Sequence, residues 1–135
     1  MKKLSAQMDS HGDATQKILV KDLDQAALNW AVSKCEWHHE EGNWDGRLIA
    51  DYVTDWANSG PLIDREKINI EYPREGYWEA NMWLGRPMVF SHGTGATPII
   101  AAMRCYVASK LGDEVAVPVQ YLSDYPESDA AAPSM

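Results

Sequence analysis

The chain has 135 residues, of which 45% are hydrophobic, and this length and composition suit one domain with a real core. Its net charge of −8 argues against tight binding to bare DNA or RNA, because such binding requires a basic footprint. We find no apolar run long enough to span a membrane and no apolar secretion segment near the N-terminus, so we expect a cytoplasmic protein with no membrane partner.

The first third of the chain predicts an arm, a strand and a helix. Residues 1–16 are polar and predict a flexible N-terminal arm, after which residues 17–21 predict a short strand. A helix is expected over about 23–36, because Asp22 and Gln25 have the spacing of a capping box. Most of this helix is apolar, with a narrow polar stripe formed by Gln25, Asn29, Ser33 and Glu36.

The middle of the chain predicts a loop, a short helix and three strands. Residues 37–47 predict an exposed loop, and residues 48–52 predict either a short strand or a helical turn. Thr54 or Ser59 is expected to cap a short helix that ends near Glu66. Short turns separate three further apolar or alternating segments, which predicts an antiparallel meander of strands at 67–72, 77–83 and 88–90.

A second main helix is predicted from Pro98 to Leu111. Thr97 is a suitable N-cap, Pro98 suits the first helical position, and Gly112 suits the position after the last turn. Large apolar residues occupy one face of this helix. We expect that face to pack on a sheet, and we expect the opposite face to contact another helix or a second copy in a homodimer. That opposite face is made of small residues, namely Ala101, Cys105, Ala108 and Ser109.

Together these elements predict one α+β domain over residues 17–118. Its small, mainly antiparallel sheet of three to four strands would pack with the two main helices, about 23–36 and 98–111. A short helix within 54–66 could add a third layer and give an α/β/α sandwich. Residues 114–117 are either a further strand or an extended exit, and residues 119–135 predict a disordered acidic tail.

Two cysteines are present, Cys35 and Cys105, and each falls inside a predicted helix. Buried free thiols in a reducing cytoplasm are the simplest interpretation of this pattern. A disulfide or a metal-binding pair is the alternative.

Three stretches carry a family resemblance: ALNWAVSKCE (27–36), DYVTDWANSGPLIDREKI (51–68) and GTGATPIIAAMRCYVASKLGDEVAVP (93–118). They resemble, in the same order, the NinX-like proteins of lambdoid, P22-type phages and prophages. The resemblance implies a phage-encoded cytoplasmic protein from an accessory region near recombination genes. It implies no biochemical activity, because none is established for that family. A weaker resemblance, in the order of elements, is to small phage domains with an α/β/α sandwich.

One candidate site is the glycine-rich entry to the second main helix. Free N–H groups and the helix dipole at such an entry can hold an anion, and Arg104 or Arg86 could assist. The stretch is neither a Walker motif nor a dinucleotide fingerprint, so the favoured interpretation is a strand-to-helix connector whose glycines supply positive φ. The residues concerned are Gly93, Thr94, Gly95 and Thr97.

A second candidate site is a polar group around Trp56 and Asp55. Its functional interpretation is a patch for a partner or ligand, but aspartate, threonine and serine before Pro61 are also what helix capping requires, and capping is favoured. The cluster of residues 38–41, His-His-Glu-Glu, has no third ligand at a recognised spacing, so we expect neither a metal nor another cofactor.

The tryptophans suggest an interaction surface. Trp30 and Trp78 fall on apolar faces and are expected in the core, whereas Trp37, Trp44 and Trp83 fall in polar surroundings. No nucleophile–base pair is visible in the sequence. We therefore expect a non-enzymatic phage accessory factor that binds an unidentified host or phage protein. The alternatives are an acidic mimic of DNA that inhibits a nucleic-acid-binding host protein, and a small ligand- or phosphate-binding domain.

Overall fold

A computed structural model of the chain describes residues 7–8, 14–23, 25–40 and 49–122, with backbone alone for 7–8 and 37–40. The helices are α1 (Gln25–Glu40), α2 (Trp56–Glu66) and α3 (Pro98–Leu111). The strands are β1 (Gln7–Met8), β2 (Ala14–Leu19), β3 (Asn69–Arg74), β4 (Tyr77–Arg86), β5 (Val89–Gly95) and β6 (Glu114–Pro118). The predicted α+β class is therefore confirmed.

The strands form two antiparallel sheets, whereas the sequence predicts one sheet of three to four strands. The meander is the sheet β3–β4–β5, and the other sheet has the order β1–β2–β6. β6 is not part of the meander. It pairs with β2 in the other sheet, where Ile18 lies opposite Val115. Residues 114–117 thus belong to a strand and are not simply an extended exit.

The predicted N-terminal arm contributes to this second sheet. β2 begins at Ala14, three residues before the expected start, and its first residues pair with Gln7 and Met8. The rest of the predicted arm and the predicted tail from residue 123 onward lie outside the described residues.

α1 differs from its prediction at both ends. It begins at Gln25, so Asp22 lies in the preceding 3₁₀ turn Val20–Asp22 and does not open the helix. At the other end α1 continues to Glu40, and the first four residues of the predicted loop 37–47 are therefore helical. The remaining residues of that loop lie outside the described part of the chain.

α3 is the centre of the fold. The sheet β3–β4–β5 packs against one side of it, and α1 and α2 pack against other sides. Its middle is consequently the most buried part: Ala101, Met103, Cys105 and Val107 are fully buried, and Tyr106 is 2% exposed. Burying apolar side chains of this kind is the dominant favourable contribution to folding.

Ala101 and Cys105 of the small-residue face of α3 lie against β5, where the sequence predicts large side chains, and Ile100 of the large face also contacts this strand at Gly95. The Ser91 hydroxyl in β5 donates to the Cys105 carbonyl at 2.8 Å, and the Cys105 thiol donates to the Ser91 carbonyl at 3.2 Å. Ala101 and Cys105 are therefore buried inside the domain, whereas Ala108 and Ser109 remain partly exposed, and a contact of this face with a second copy stays a prediction. The large side chain of Tyr106 instead reaches α1 and α2.

Gly93 makes this close packing of β5 on α3 feasible. A Cβ atom at position 93 would lie 2.3 Å from the Ala101 carbonyl oxygen and 2.4 Å from the Cys105 nitrogen. Both distances are far below a normal van der Waals contact. Only a residue without a side chain fits there, and two backbones approach each other directly at this point.

The sequence also makes predictions for the segment before α2 and for the two cysteines. Residues 49–55 form neither the strand nor the helical turn expected for 48–52. Cys35 and Cys105 are both free and buried, as predicted. Within the described ranges, no helix is at once long enough and apolar enough to cross a lipid bilayer.

Candidate functional site

The glycine-rich stretch before α3 is used for internal contacts. Gly93 and Gly95 belong to β5, and neither has a positive φ, so the glycines serve close packing and the expected reason for them is wrong. The Thr97 hydroxyl accepts a hydrogen bond from the Ile100 amide at 3.1 Å, which confirms it as the N-cap of α3. The capping hydroxyl thus occupies one of the N–H groups that an anion would need.

Arg104 is also committed to backbone groups. Its Nη1 donates to the Thr94 carbonyl at 2.8 Å, and its Nε donates to the Leu23 carbonyl at 2.8 Å. One guanidinium therefore joins β5 and α3 to the chain just before α1. Charge-assisted hydrogen bonds of this kind are among the stronger ones in proteins, so Arg104 contributes to the stability of the fold.

The polar group around Trp56 caps α2. The Asp55 carboxylate accepts from the Ala57 amide at 2.9 Å and is the N-cap. The predicted caps are therefore wrong: the Thr54 hydroxyl donates to the Asp51 carboxylate, and the buried Ser59 hydroxyl donates to the Asp55 carbonyl at 3.3 Å. Hydrogen bonds from Thr54, followed by one from Asn29, hold the pKa of Asp51 below its usual value. Trp56 is 52% exposed.

The polar stripe of α1 fixes the irregular segment before α2. The Asn29 side-chain oxygen accepts from the backbone amides of Tyr52 at 2.7 Å and Val53 at 2.9 Å. The Ser33 hydroxyl accepts from the Ala50 amide at 3.2 Å. Polar residues on a helix that is otherwise buried therefore satisfy the backbone of a segment without secondary structure of its own.

A charged cluster that the sequence analysis missed joins the three helices. Arg65 of α2 forms a bidentate pair with Glu36 of α1, with distances of 3.0 and 2.8 Å. The buried Tyr106 hydroxyl of α3 donates to the same Glu36 carboxylate. Burial, followed by the interaction with Glu36, raises the pKa of Tyr106 far above its usual value. These contacts stabilise the packing of the helices, and only the position of Glu36 on the polar stripe pointed to them.

The strongest candidate for a binding surface is the hairpin formed by β4 and β5. Seven large apolar side chains of the described residues are markedly exposed, and four of them lie on this hairpin. We call these four the hairpin patch: Trp83 is 61% exposed, Leu84 40%, Met88 88% and Phe90 43%. Trp83 lies directly opposite Phe90 in the β4–β5 register. The placement of Trp83 on the outward side of its strand agrees with the alternation in the sequence.

Two local features, a hydrogen bond and an unusual turn, determine how the hairpin patch is presented. The Trp83 indole donates from Nε1 to the Arg86 carbonyl at 2.7 Å, so the ring is fixed while most of it remains exposed. Met88 lies in the two-residue turn between Arg86 and Val89 and has a φ of 63°. Glycine or asparagine normally occupies such a position, because a side chain makes this conformation unfavourable. The turn thus presents a highly exposed methionine at a conformational cost.

The hairpin patch continues into the outer face of the sheet β3–β4–β5, the side opposite α3. The register places its residues in rows across the strands. The row next to Trp83 and Phe90 contains Asn69, Asn81 and His92, and the row beyond it contains Glu71, Glu79 and Thr94. Arg86 lies between Leu84 and Met88, beside the turn of the hairpin. It is therefore away from the glycine-rich stretch before α3, where the sequence suggests that it could assist anion binding.

The remaining candidates lie partly or wholly outside the described residues. Trp37 is in the helical backbone of α1, but its side chain lies outside the described part. Trp44 and the side chains of residues 38–41 lie outside it as well. In the ranges that the structure does describe, no group of three or more His, Cys, Asp or Glu side chains could hold a metal ion.

Comparison with known proteins identifies a family for the chain. The family model described as "Bacteriophage P22, NinX" matches residues 19–110, about two thirds of the chain. The matched range extends from the end of β2 to the last turn of α3 and includes the whole β3–β4–β5 sheet. No curated protein matches the chain. The match is to a phage protein family and covers the central helix together with the candidate surface, and the chain therefore belongs to the bacteriophage P22 NinX family.

Proposed function

We propose that this phage protein is a non-enzymatic accessory factor that binds another protein through the hairpin patch. The observation that carries the proposal is the concentration of four exposed apolar side chains, Trp83, Leu84, Met88 and Phe90, on one hairpin. Exposed apolar side chains grouped on one element in this way are typical of protein–protein binding sites.

The chemistry of the hairpin patch suits binding. Tryptophan is the residue type most enriched among the residues that dominate binding energy, and methionine adapts readily to a partner's surface. The hydrogen bond from the Trp83 indole to the Arg86 carbonyl limits the motion of the ring before any partner arrives. A side chain that is already ordered loses less conformational entropy on binding, which favours affinity.

The strain at Met88 supports the same proposal. A methionine with a φ of 63° and an exposed fraction of 88% gains little from burial in the protein itself. Residues held in unfavourable backbone conformations occur preferentially at functional sites. The proposed location is the cytoplasm of the bacterial host, where the two buried free thiols, Cys35 and Cys105, would stay reduced.

Affinity capture from phage-infected cells tests the proposal. The tagged wild-type protein and the double variant Trp83→Ser, Phe90→Ser are captured in parallel after nuclease treatment, and bound proteins are quantified by mass spectrometry. We expect one or a few proteins to be retained by the wild type and to fall about 30-fold or more in the variant, because loss of a central aromatic anchor typically costs about 2 kcal/mol or more.

A matched control uses another exposed tryptophan. Trp56 is 52% exposed at the start of α2, on an element other than the hairpin. The variant Trp56→Ser should retain the captured proteins. Equal retention by the wild type and by the double variant would contradict the proposal, provided that thermal unfolding shows both proteins to be folded.

A further inference from the structure

The outer face of the sheet β3–β4–β5 carries an unfavourable arrangement of charges. Glu71 and Glu79 lie directly opposite each other on neighbouring strands, and alternation along β4 turns both away from α3. Like charges in this position destabilise an antiparallel pair. A second feature of the same sheet, the conformation of Met88, is also unfavourable for the isolated protein.

The groups nearest in the register do not cancel this pair of charges. The Asn69 amide donates to the Glu71 carboxylate at 3.3 Å, which contributes no charge. Arg74, at the end of β3, places its guanidinium 4.5 Å from the centre of the Tyr77 ring. Glu71 and Glu79 thus give this end of the outer face two carboxylates for one guanidinium, and the whole chain carries a net charge of −8.

The apolar and acidic parts of the face are separated by a fixed distance. Glu79 and Trp83 are four residues apart on the same side of β4, and a strand rises about 3.3 Å per residue, so their Cα atoms are about 13 Å apart. Asn81 and His92 form the polar row between them. The face therefore combines an apolar anchor site, a hydrogen-bonding row and an acidic end in one line.

We propose that the outer face binds a basic protein segment that places an apolar side chain on Trp83 and Phe90 and a lysine or arginine on Glu71 and Glu79. This inference rests on the proposed binding function and adds the chemistry of the partner. In an extended segment the basic residue lies about four positions from the apolar one, and in a helix about nine positions, because a helix rises 1.5 Å per residue.

Charge complementarity favours such a partner over a second copy of the chain. A second copy also carries a net charge of −8, and the resulting repulsion opposes association of two copies. A basic segment instead neutralises the opposed carboxylates of Glu71 and Glu79. Charges at the rim of an interface mainly raise the association rate and select among partners, so binding should weaken as salt concentration rises.

The test uses a random 12-residue peptide library displayed on yeast. Cells that bind the wild-type protein are kept, and those that also bind the variant Trp83→Ser, Phe90→Ser are removed. We expect the remaining sequences to combine an apolar residue with lysine or arginine at one of the two spacings. A synthetic peptide of this set is then titrated by fluorescence anisotropy.

The variant Glu71→Gln, Glu79→Gln separates binding from folding. It should bind the peptide about 5- to 10-fold more weakly, as exposed charge pairs usually contribute modestly. Its Tm should rise by about 1–3 °C, because the repulsion between the two strands is removed. Glu114→Gln, on β6 of the other sheet, is the matched control and should leave affinity unchanged.

Each other outcome overturns a definite part of the account. Peptides without basic residues, or peptides whose affinity is unchanged by the double glutamine variant, would overturn the basic partner while leaving the hairpin patch as a binding site. A library with no binder dependent on Trp83 and Phe90 would overturn both. A homodimer in sedimentation that Trp83→Ser dissociates would assign the face to a second copy and overturn the basic partner.

Discussion

Replacing Gly93 by alanine should destabilise the protein strongly, because two backbones meet at this position. The added Cβ would lie 2.3 Å from the Ala101 carbonyl oxygen and 2.4 Å from the Cys105 nitrogen, where about 3.5 Å is normal. Both atoms belong to the backbone of α3, so relief requires the helix to move about 1 Å away from β5. That shift would lengthen the hydrogen bonds between Ser91 and Cys105.

The expected cost combines overpacking and lost hydrogen bonds. Overpacking typically costs about 1–3 kcal/mol, and a buried polar group without its partner costs about 1–3 kcal/mol more. We expect Gly93→Ala to lose about 3–5 kcal/mol, which corresponds to a Tm lower by about 10–20 °C for a domain of this size. Whole domains have stabilities of only about 5–15 kcal/mol, so a loss of this size is large enough to unfold part of the Gly93→Ala protein at 37 °C.

Two neighbouring variants make the assay specific. At Gly95 the nearest atom is the side-chain Cγ2 of Ile100 at 2.6 Å, and the nearest backbone atom, the Ala101 nitrogen, is 3.0 Å away, so Gly95→Ala should cost less, about 1–2 kcal/mol. Thr94 faces outward between the two glycines, and Thr94→Ala should cost less than about 1 kcal/mol. Thermal and urea unfolding followed by circular dichroism measure this order. A Gly93→Ala variant as stable as Thr94→Ala would refute the close approach of β5 to α3.

Three further variants test other parts of the structure. Met88→Asn should stabilise the protein by about 0.5–1 kcal/mol in urea unfolding, because asparagine tolerates a φ of 63° better, while capture of the partner decreases; an unchanged or lower stability would contradict the strain. Asn29→Asp should cost about 1–3 kcal/mol at pH 7, because a second carboxylate would face Asp51 where the amide now lies 3.4 Å from its oxygen; the loss should shrink below about pH 4 as the new carboxyl is protonated, and a pH-independent loss would contradict it. Burial raises the pKa of Cys35 from 9.0 to about 12 and that of Cys105 to about 11, so the folded state retains protons that the unfolded state releases. The contribution of the two thiols to the free energy of unfolding is therefore fully present below pH 9. It should fall by about 1.4 kcal/mol per pH unit for each thiol as pH rises from 9 to 10.5. The variant Cys35→Ala should remove one of the two contributions to this slope.

The features that local sequence rules govern could be predicted. Thr97, Pro98 and Gly112 are local signals for the ends of α3, and the observed helix has the predicted bounds. The alternation along β4 correctly places Trp83 on the outward side and Ala80 and Met82 on the buried side. These predictions succeed because each depends on neighbouring residues.

The features that depend on distant contacts could not be predicted. β6 could join either sheet as far as its sequence shows, and only the fold places Ile18 opposite Val115. The small face of α3 suits a helix and a sheet equally well, and the decision comes from Gly93, which allows β5 to approach. Arg104 illustrates the same limit for the candidate site, because its partners Thr94 and Leu23 are distant in sequence from one another.

In vivo photo-crosslinking at Met88 tests the central claim, binding through the hairpin patch, most directly. A benzophenone amino acid replaces Met88, which is 88% exposed, and for comparison Glu114 on β6 of the other sheet, in phage-infected cells. The account predicts a discrete crosslinked protein from position 88 that is absent from position 114 and is lost when Trp83 and Phe90 are changed to serine. No crosslink at position 88, or the same crosslink at both positions, would contradict it.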